Sequence, residues 1–461
     1  MWHPVLLRLA LVSSVTACAH YTPAPLDPVA TAEGLASRRL DDPGLTGYLS
    51  EHGAAVPDVW GEDDLVLAAQ YFQPALAAAR ASRRAAAAAL LTARTRARPD
   101  MDAEAGYGIT GTDAVESPWL VALASVFTLE LGGKRGARIA AARARAAAAE
   151  LELAGTADGI ARAVRVAVRE LDASGGRIEE ARIEREAAEA VVAAARARYA
   201  RGEAARAEVS AAETGAIEAH AQQVAVAARV FPARTALAAA LGVPAAALDG
   251  VQTRATPPRA CAPDPPADSL RRFALMQRVE VGQALATYAV AEAELRLAVA
   301  GSYPDLALGP GFTWDQGVGR WSVLLGLPRL PLDGNRGPIG EAAAQREVAA
   351  ARVSAAQLQV LAEVESAVAE CAAARMESSG ADSVVSAAEQ RLDAVRRSYQ
   401  RGETAAADTA VALLPVVRAR AAAADARRRE SAAALALDAA VAGWTTPRRA
   451  AARPPIGEGA R

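Results

Sequence analysis

Two short phrases occur twice in this chain, in the same order. Gly133-Lys134-Arg135-Gly136 is followed by Tyr199-Ala200-Arg201-Gly202-Glu203, and Gly334-Asn335-Arg336-Gly337 by Tyr399-Gln400-Arg401-Gly402-Glu403. The two sets lie roughly 200 residues apart, as they would if a whole structural unit were duplicated in tandem. Two units sharing one architecture leave far fewer folds open than 461 unrelated residues would.

Each copy sits in a proline-poor, alanine-rich stretch. Apolar residues make up 52% of the chain while aromatics are only 4%, so the apolar excess is alanine. Alanine favours helix and adds little bulk, which suits long helices packed closely along thin seams. Formal charge is −2, from 51 basic and 53 acidic residues. That balance gives no electrostatic footprint for nucleic acid, and the scattered arginines read as solvated helix faces.

The cysteines, at 18, 261 and 371, have no paired spacing, so neither a zinc motif nor a disulfide framework is expected. His3, His20, His52 and His220 lie far apart with no carboxylate or thiol at ligand spacing, and read as surface or targeting residues. No cofactor or metal site is expected. Without a nucleophile–base pair or a phosphate loop, an enzyme is not expected either.

The first residues read as a short export signal: Leu6 to Val12 is apolar apart from Arg8, and small residues lead to Cys18. Val15-Thr16-Ala17-Cys18 resembles the lipobox of bacterial lipoproteins, in which the cysteine is acylated and becomes the new amino terminus; the alternative is an incidental cysteine. Ala19 stands where an aspartate resembles an inner-membrane retention signal, so the same resemblance favours the outer membrane. No later segment offers the ~20 uninterrupted apolar residues of a spanning helix. Any crossing of a bilayer is then expected from strands.

The chain divides into a signal at 1–18, an irregular leader at 19–64, a first repeat at 65–250, a proline-rich linker at 251–268, a second repeat at 269–445 and a disordered tail at 446–461. Between Pro118 and Pro232 there is no proline. One helix over 135–199 would be on the order of 100 Å long. Val164, Leu171 and Ile178, with Ile160 and Val168 beside them, and Val385, Leu392 and Tyr399 in the second copy, recur at coiled-coil spacing. Gly175-Gly176 and Ser378-Ser379-Gly380 suggest kinks at similar depth in the two helices.

Segments 100–131 and 305–332 switch to period-two alternation and read as hairpins. Met101, Ala103, Ala105, Tyr107 and Ile109 oppose Asp102, Glu104 and Gly106; Leu306, Leu308, Phe312 and Trp314 oppose Asp305, Ala307 and Gly309. Return strands alternate through Trp119, Val121, Leu123 and Phe127, and through Trp321, Val323 and Leu325. Apolar side chains toward lipid, with Asp102, Glu104 and Asp305 toward a wet lumen, would suit membrane strands. Trp119, Trp314 and Trp321 would sit at the membrane interface. A pair of small soluble hairpins is the alternative, although isolated hairpins are marginal in water. Four strands cannot close a barrel in lipid, so several chains must contribute.

Helix, hairpin, very long helix, tip and returning helix, all repeated, resemble the TolC-type outer-membrane factors of tripartite efflux and type I secretion. The likeness covers residues 65–445 and includes the phrase Leu237 to Pro244 and the junctions Pro99-Asp100 and Pro304-Asp305. It implies a mainly α chain with a small membrane β part, a homotrimer with a 12-stranded barrel continued by a coiled-coil tunnel, and no catalysis. The implied partners are a periplasmic adaptor, an inner-membrane pump and outer-membrane lipid, with no nucleic acid. Tyr199, Arg201, Gly202, Tyr399, Arg401 and Gly402 would mark the periplasmic tips that meet the adaptor. Glu208-Val209 and Asp408-Thr409 occupy the positions after the tip glycines where the family carries an acidic residue and a valine. Asp408, with Glu208 as its counterpart, would then line the aperture, or be only a solvated first-turn carboxylate. Val411 stands where some members carry a second aspartate. The phrases at 129–139 and 330–337 look closest to the heavy-metal efflux branch. The competing reading is a periplasmic coiled-coil scaffold or adaptor lipoprotein, which would carry a compact barrel module instead of lipid-patterned hairpins.

Overall fold

A computed structural model describes residues 21–108, 117–256, 260–262, 266–315, 317–327 and 332–441. Cys18, Ile109 and the tail at 446–461 lie outside the described residues.

The leader differs from its expected irregular form. It holds α1 (Pro28–Ala36), α2 (Pro43–Glu51) and β1 (Val59–Gly61), and leads into α3 (Glu62–Phe72). The prolines that read as breakers open both short helices, because the missing N–H of a first helical residue has no partner to lose. Asp27 and Asp42 supply the caps, accepting from the backbone N–H groups of Val29 and Gly44 at 2.9 and 2.7 Å. The guanidinium of Arg38 then donates to the carbonyls of Phe72 and Gly242 at 2.8 and 2.7 Å, pinning the leader to the first repeat.

The first repeat continues through α4 (Pro74–Arg94), β2 (Asp100–Tyr107), β3 (Trp119–Leu129), α5 (Lys134–Ala200), α6 (Arg206–Ala227) and α7 (Val230–Leu241). After β4 (Gln252–Arg254), the second runs through α8 (Ala267–Gln277), α9 (Val279–Ala300), β5 (Leu306–Asp315), β6 (Val318–Gly326), α10 (Arg336–Gln400) and α11 (Ala406–Ala440). The duplication is plain: α5 and α10 are 67 and 65 residues long.

Alanine sets the seams. The buried positions of α11 include Ala412, Val416, Ala419, Ala423, Ala426 and Glu430, alternating steps of four and three, the spacing of a knobs-into-holes stripe. Val164 and Val168 are fully buried and Leu392 nearly so, as the heptads predict, but Tyr399 is 48% exposed and lies beyond the seam. The predicted kinks are not breaks, since α5 and α10 run without interruption through Gly175-Gly176 and Ser378-Ser379-Gly380. Gly176 instead makes room for a neighbour: a Cβ there would stand 2.9 Å from the Arg428 guanidinium.

Each repeat has its own core. The first gathers Leu45, Leu49, Trp60 and Leu65 against Val164, Val168, Leu237 and Leu241. The second gathers Leu270, Ala274 and Val281 against Val360, Val364, Leu437 and Val441. The start of the linker forms a strand: β4 pairs in parallel with β1, Trp60 facing Thr253 in register. Cys261 and Cys371 form a disulfide, contrary to the expectation from spacing. Their separation of 110 residues left no local signature to read. A second difference concerns spans. Taken together, α6 and α7 (Arg206–Leu241) contain an 18-residue window of mean hydropathy 1.5, so length and composition alone would allow a crossing. Only 28% of that window is buried.

The two hairpins merge into one antiparallel sheet of order β2-β3-β5-β6. The join between repeats is the β3–β5 ladder, with Val121 opposite Trp314 and Phe127 opposite Leu308. β2 and β6 are left as outer edges.

Candidate functional site

At the end of α5 the chain reverses through Gly202, at φ 74°, and at the end of α10 through Gly402, at φ 76°. Both turns close with the same pair of bonds. Gly202 N–H donates to Tyr199 O and Glu203 N–H to Arg198 O, each at 2.9 Å; Gly402 and Glu403 repeat this onto Tyr399 and Ser398, also at 2.9 Å. This is a Schellman closure, in which a left-handed residue lets the last helical carbonyls find donors. Arg201 pairs with Glu203 at 2.9 Å and Arg401 with Glu403 at 2.6 Å. Hydrogen bonding from the arginines holds both glutamates below the usual carboxylate range. Tyr199 and Tyr399 are about half exposed, so these tips present matched aromatic and charged groups to solvent.

The copies diverge two residues into the returning helices. Glu208 and Asp408 each accept from the N–H of the alanine just before the helix, Ala205 and Ala405, at 3.3 and 2.9 Å. Glu208 also pairs with Arg198 at 3.3 Å. The position equivalent to Arg198 is Ser398, which bonds to Glu403 at 3.0 Å. Asp408 therefore caps its helix without the arginine that balances its counterpart. Beside it, the hydroxyl of Thr404 is buried without a hydrogen-bond partner.

At the other end, the ladders decide which side chains share a face, because directly opposed residues point the same way. Ala103 faces Leu123, Ala105 faces Val121 and Tyr107 faces Trp119; Leu308 faces Leu325, Pro310 faces Val323 and Phe312 faces Trp321. All lie on one continuous apolar face. Trp321, Val323 and Leu325 on it are 81%, 75% and 67% exposed. The other face carries Asp102 and Glu104 on β2, opposite Ala124 and Ala122, and Arg320 and Ser322 on β6, opposite Thr313 and Gly311. Leu120 and Leu324 interrupt it. Trp119, Trp314 and Trp321 lie toward the hairpin-turn end, where Tyr107 and Trp119 are 5.0 Å apart edge to face and Phe312 and Trp321 are 5.1 Å apart.

Asp305 is placed differently from Asp102 and Glu104. It stands one residue ahead of β5 and holds Lys134 at 2.8 Å, with both side chains largely buried. This pair ties the start of the first long helix to the second hairpin, and no spacing signal revealed it. Asn335, in the second glycine-bounded phrase, adopts φ 58° and donates from its amide to Ala298 O at 2.7 Å. Along the long helices, Arg177 reaches Asp425 at 2.9 Å and Arg418 reaches Glu184 at 2.8 Å, while Arg428 bridges Glu180 and Asp425. These pairs lace α5 to α11. A cavity of about 980 Å³ beside them is lined by Arg169, Arg177, Arg278 and Arg428, each of which already has a carboxylate partner. Among the described residues, no group of three or more His, Cys, Asp or Glu side chains is arranged to hold a metal ion.

The chain thus joins a sheet with one exposed apolar face and one partly charged face to paired helices on the order of 100 Å long. The outer membrane efflux protein family matches residues 67–243 and 270–443, and the chain belongs to that family. It is thus an outer-membrane protein of efflux, in a class of channels rather than enzymes. Comparison with curated protein sequences finds no match. Among solved structures, the chain is similar to the outer membrane protein VceC from Vibrio cholerae, with 22% identity, TM-score 0.66, and 83% of this chain and 96% of that one covered. It is also similar to the outer-membrane channel OprN, with 19% identity, TM-score 0.67, and 92% and 98% covered. The Campylobacter jejuni CmeC outer membrane channel gives 15% identity, TM-score 0.65, and 83% and 85% covered.

Proposed function

We propose that three copies of this chain close a 12-stranded barrel in the outer membrane and continue it as a coiled-coil tunnel across the periplasm. The duct is passive: an inner-membrane pump drives it through a periplasmic adaptor that meets the tips at Tyr199, Arg201 and Gly202 and at Tyr399, Arg401 and Gly402. The cargo is a small molecule or a metal ion, treated as substrate and not as a resident cofactor. Cys18 carries the lipid anchor.

The observation that carries this reading is the sheet. Its apolar face is exposed, and its outer strands β2 and β6 have no further neighbour among the described strands. An open edge is not tolerated in hydrocarbon because no water satisfies its backbone groups, so closure requires strands from other copies. At the far end, Asp408 lacks the arginine that balances Glu208. Three such carboxylates around one axis would repel one another and attract cations, a charge ring that can bias a gate without catalysis.

The detergent-extracted protein is expected to be a trimer that conducts ions across planar bilayers; a monomer extracted without detergent would overturn the reading. Substituting Cys18→Ala should abolish lipid labelling while trimers still form, and unchanged labelling would remove the anchor from the proposal.

A further inference from the structure

Cys261 and Cys371 have Cα atoms 5.5 Å apart, and the two residues are only 4% and 2% exposed. The surroundings of Cys261 explain what the bond holds. Just before it, Thr256 N–H donates to Glu62 Oε1 at 2.9 Å, and the same carboxylate oxygen receives Arg169 from α5 at 2.9 Å. Cys261 N–H itself donates to the buried Glu430 of α11 at 3.1 Å, and the disulfide fixes it to Cys371 of α10. Within five sequence positions the linker is therefore tied first to the core of one repeat and then to the core of the other. Arg169 also reaches the hydroxyl of Ser431, next to Glu430, at 3.4 Å, so both ties meet at the α5–α11 seam. Residues 169 and 371 lie about midway along α5 and α10, on the order of 50 Å from sheet and tip alike.

We propose that Cys261–Cys371 is a covalent strap made after export by an oxidising partner protein that bears a reactive disulfide, and that it fixes the spacing of the two repeats at mid-tunnel. One cysteine thiolate attacks the partner's disulfide, forming a mixed disulfide and releasing one partner thiolate. The second cysteine thiolate attacks the mixed disulfide, forming the Cys261–Cys371 bond and releasing the other. The pair gives up two protons and two electrons, and the partner ends as a dithiol. Exchange precedes closure of the second core, because both sulfurs are buried once it has formed. The chain has three cysteines; acylation of Cys18 leaves one pair and no wrong pairing. The strap rests on the periplasmic placement proposed above.

The test uses the full-length exported protein in detergent. After denaturation, a maleimide should label Cys261 and Cys371 only if a reductant has acted first; labelling without reduction overturns the proposal. Cys261→Ser, Cys371→Ser and the double variant should each lower the thermal midpoint by about 2–5 °C, without adding. Additive losses, or a double variant as stable as the parent, would remove the strap. In a host lacking periplasmic thiol oxidation, the parent should match the double variant, and an oxidised small disulfide in the medium should restore it; a fully oxidised parent in that host overturns the oxidising partner. Normal pores from the double variant with an unchanged thermal midpoint sink the strap and leave the channel standing. An intact bond in a protein that forms no pores does the reverse.

Discussion

Gly202 and Gly402 are held at φ values of 74° and 76°, a region where a side chain crowds the following carbonyl. Gly402→Ala is expected to cost about 1 kcal/mol at the tip, read as faster amide exchange at Glu403, whose N–H closes the turn onto Ser398 O. The same scale separates the two tips. Arg198 compensates Glu208, whereas Ser398 leaves Asp408 without an arginine. Arg198→Ser should therefore increase cation preference in single-channel reversal potentials, and Asp408→Ala should decrease it. Unchanged potentials in both variants would take the tip carboxylates out of the conduction path. The phrase Tyr-x-Arg-Gly-Glu and its acidic follower are legible in sequence because both belong to local turn and cap chemistry. The Arg198/Ser398 difference becomes meaningful only once the reversal brings position 198 back against position 208.

Between elements, the seam joining α5 to α11 is held by Arg177, Asp425, Arg428 and Glu180. Burial works against the charge on Asp425, but hydrogen bonds from Arg177 and Arg428 outweigh it and hold the carboxyl below the usual aspartate range. A carboxyl depressed in the folded state contributes stability that is complete above its unfolded value, near pH 4, and is lost as pH falls through the folded value. Thermal melts should therefore show a loss below about pH 4, and Asp425→Asn should flatten that part of the profile. The heptad positions Val164 and Leu392 could be read in advance because a 3.5-residue period is intrinsic to the sequence. The leader helices carry a local signal too, an aspartate cap before a first-turn proline at Asp27-Pro28 and Asp42-Pro43, but the same prolines also read as breakers. Asp305 read as a lumen-facing strand residue, and its pairing with Lys134 was not legible because that partner comes from the other repeat.

For the whole molecule, the sheet's two faces impose opposite tolerances. Val323→Arg on the exposed apolar face of β6 should cost about 2–4 kcal/mol if the site lies near mid-bilayer, while Ser322→Arg on the opposite face should be tolerated. Trimer recovery from membranes, compared between the two variants, checks the orientation; equal losses would argue against a lipid-facing surface. The sequence alone determined the duplication, the long alanine seams and the alternation of strands, since each is a periodic pattern carried by neighbouring residues. Tertiary structure alone decided that the hairpins merge through β3 and β5, that the leader completes the first core, and that Cys261 and Cys371 meet. Those contacts join residues far apart in the chain, and only packing within and between the repeats brings them within reach.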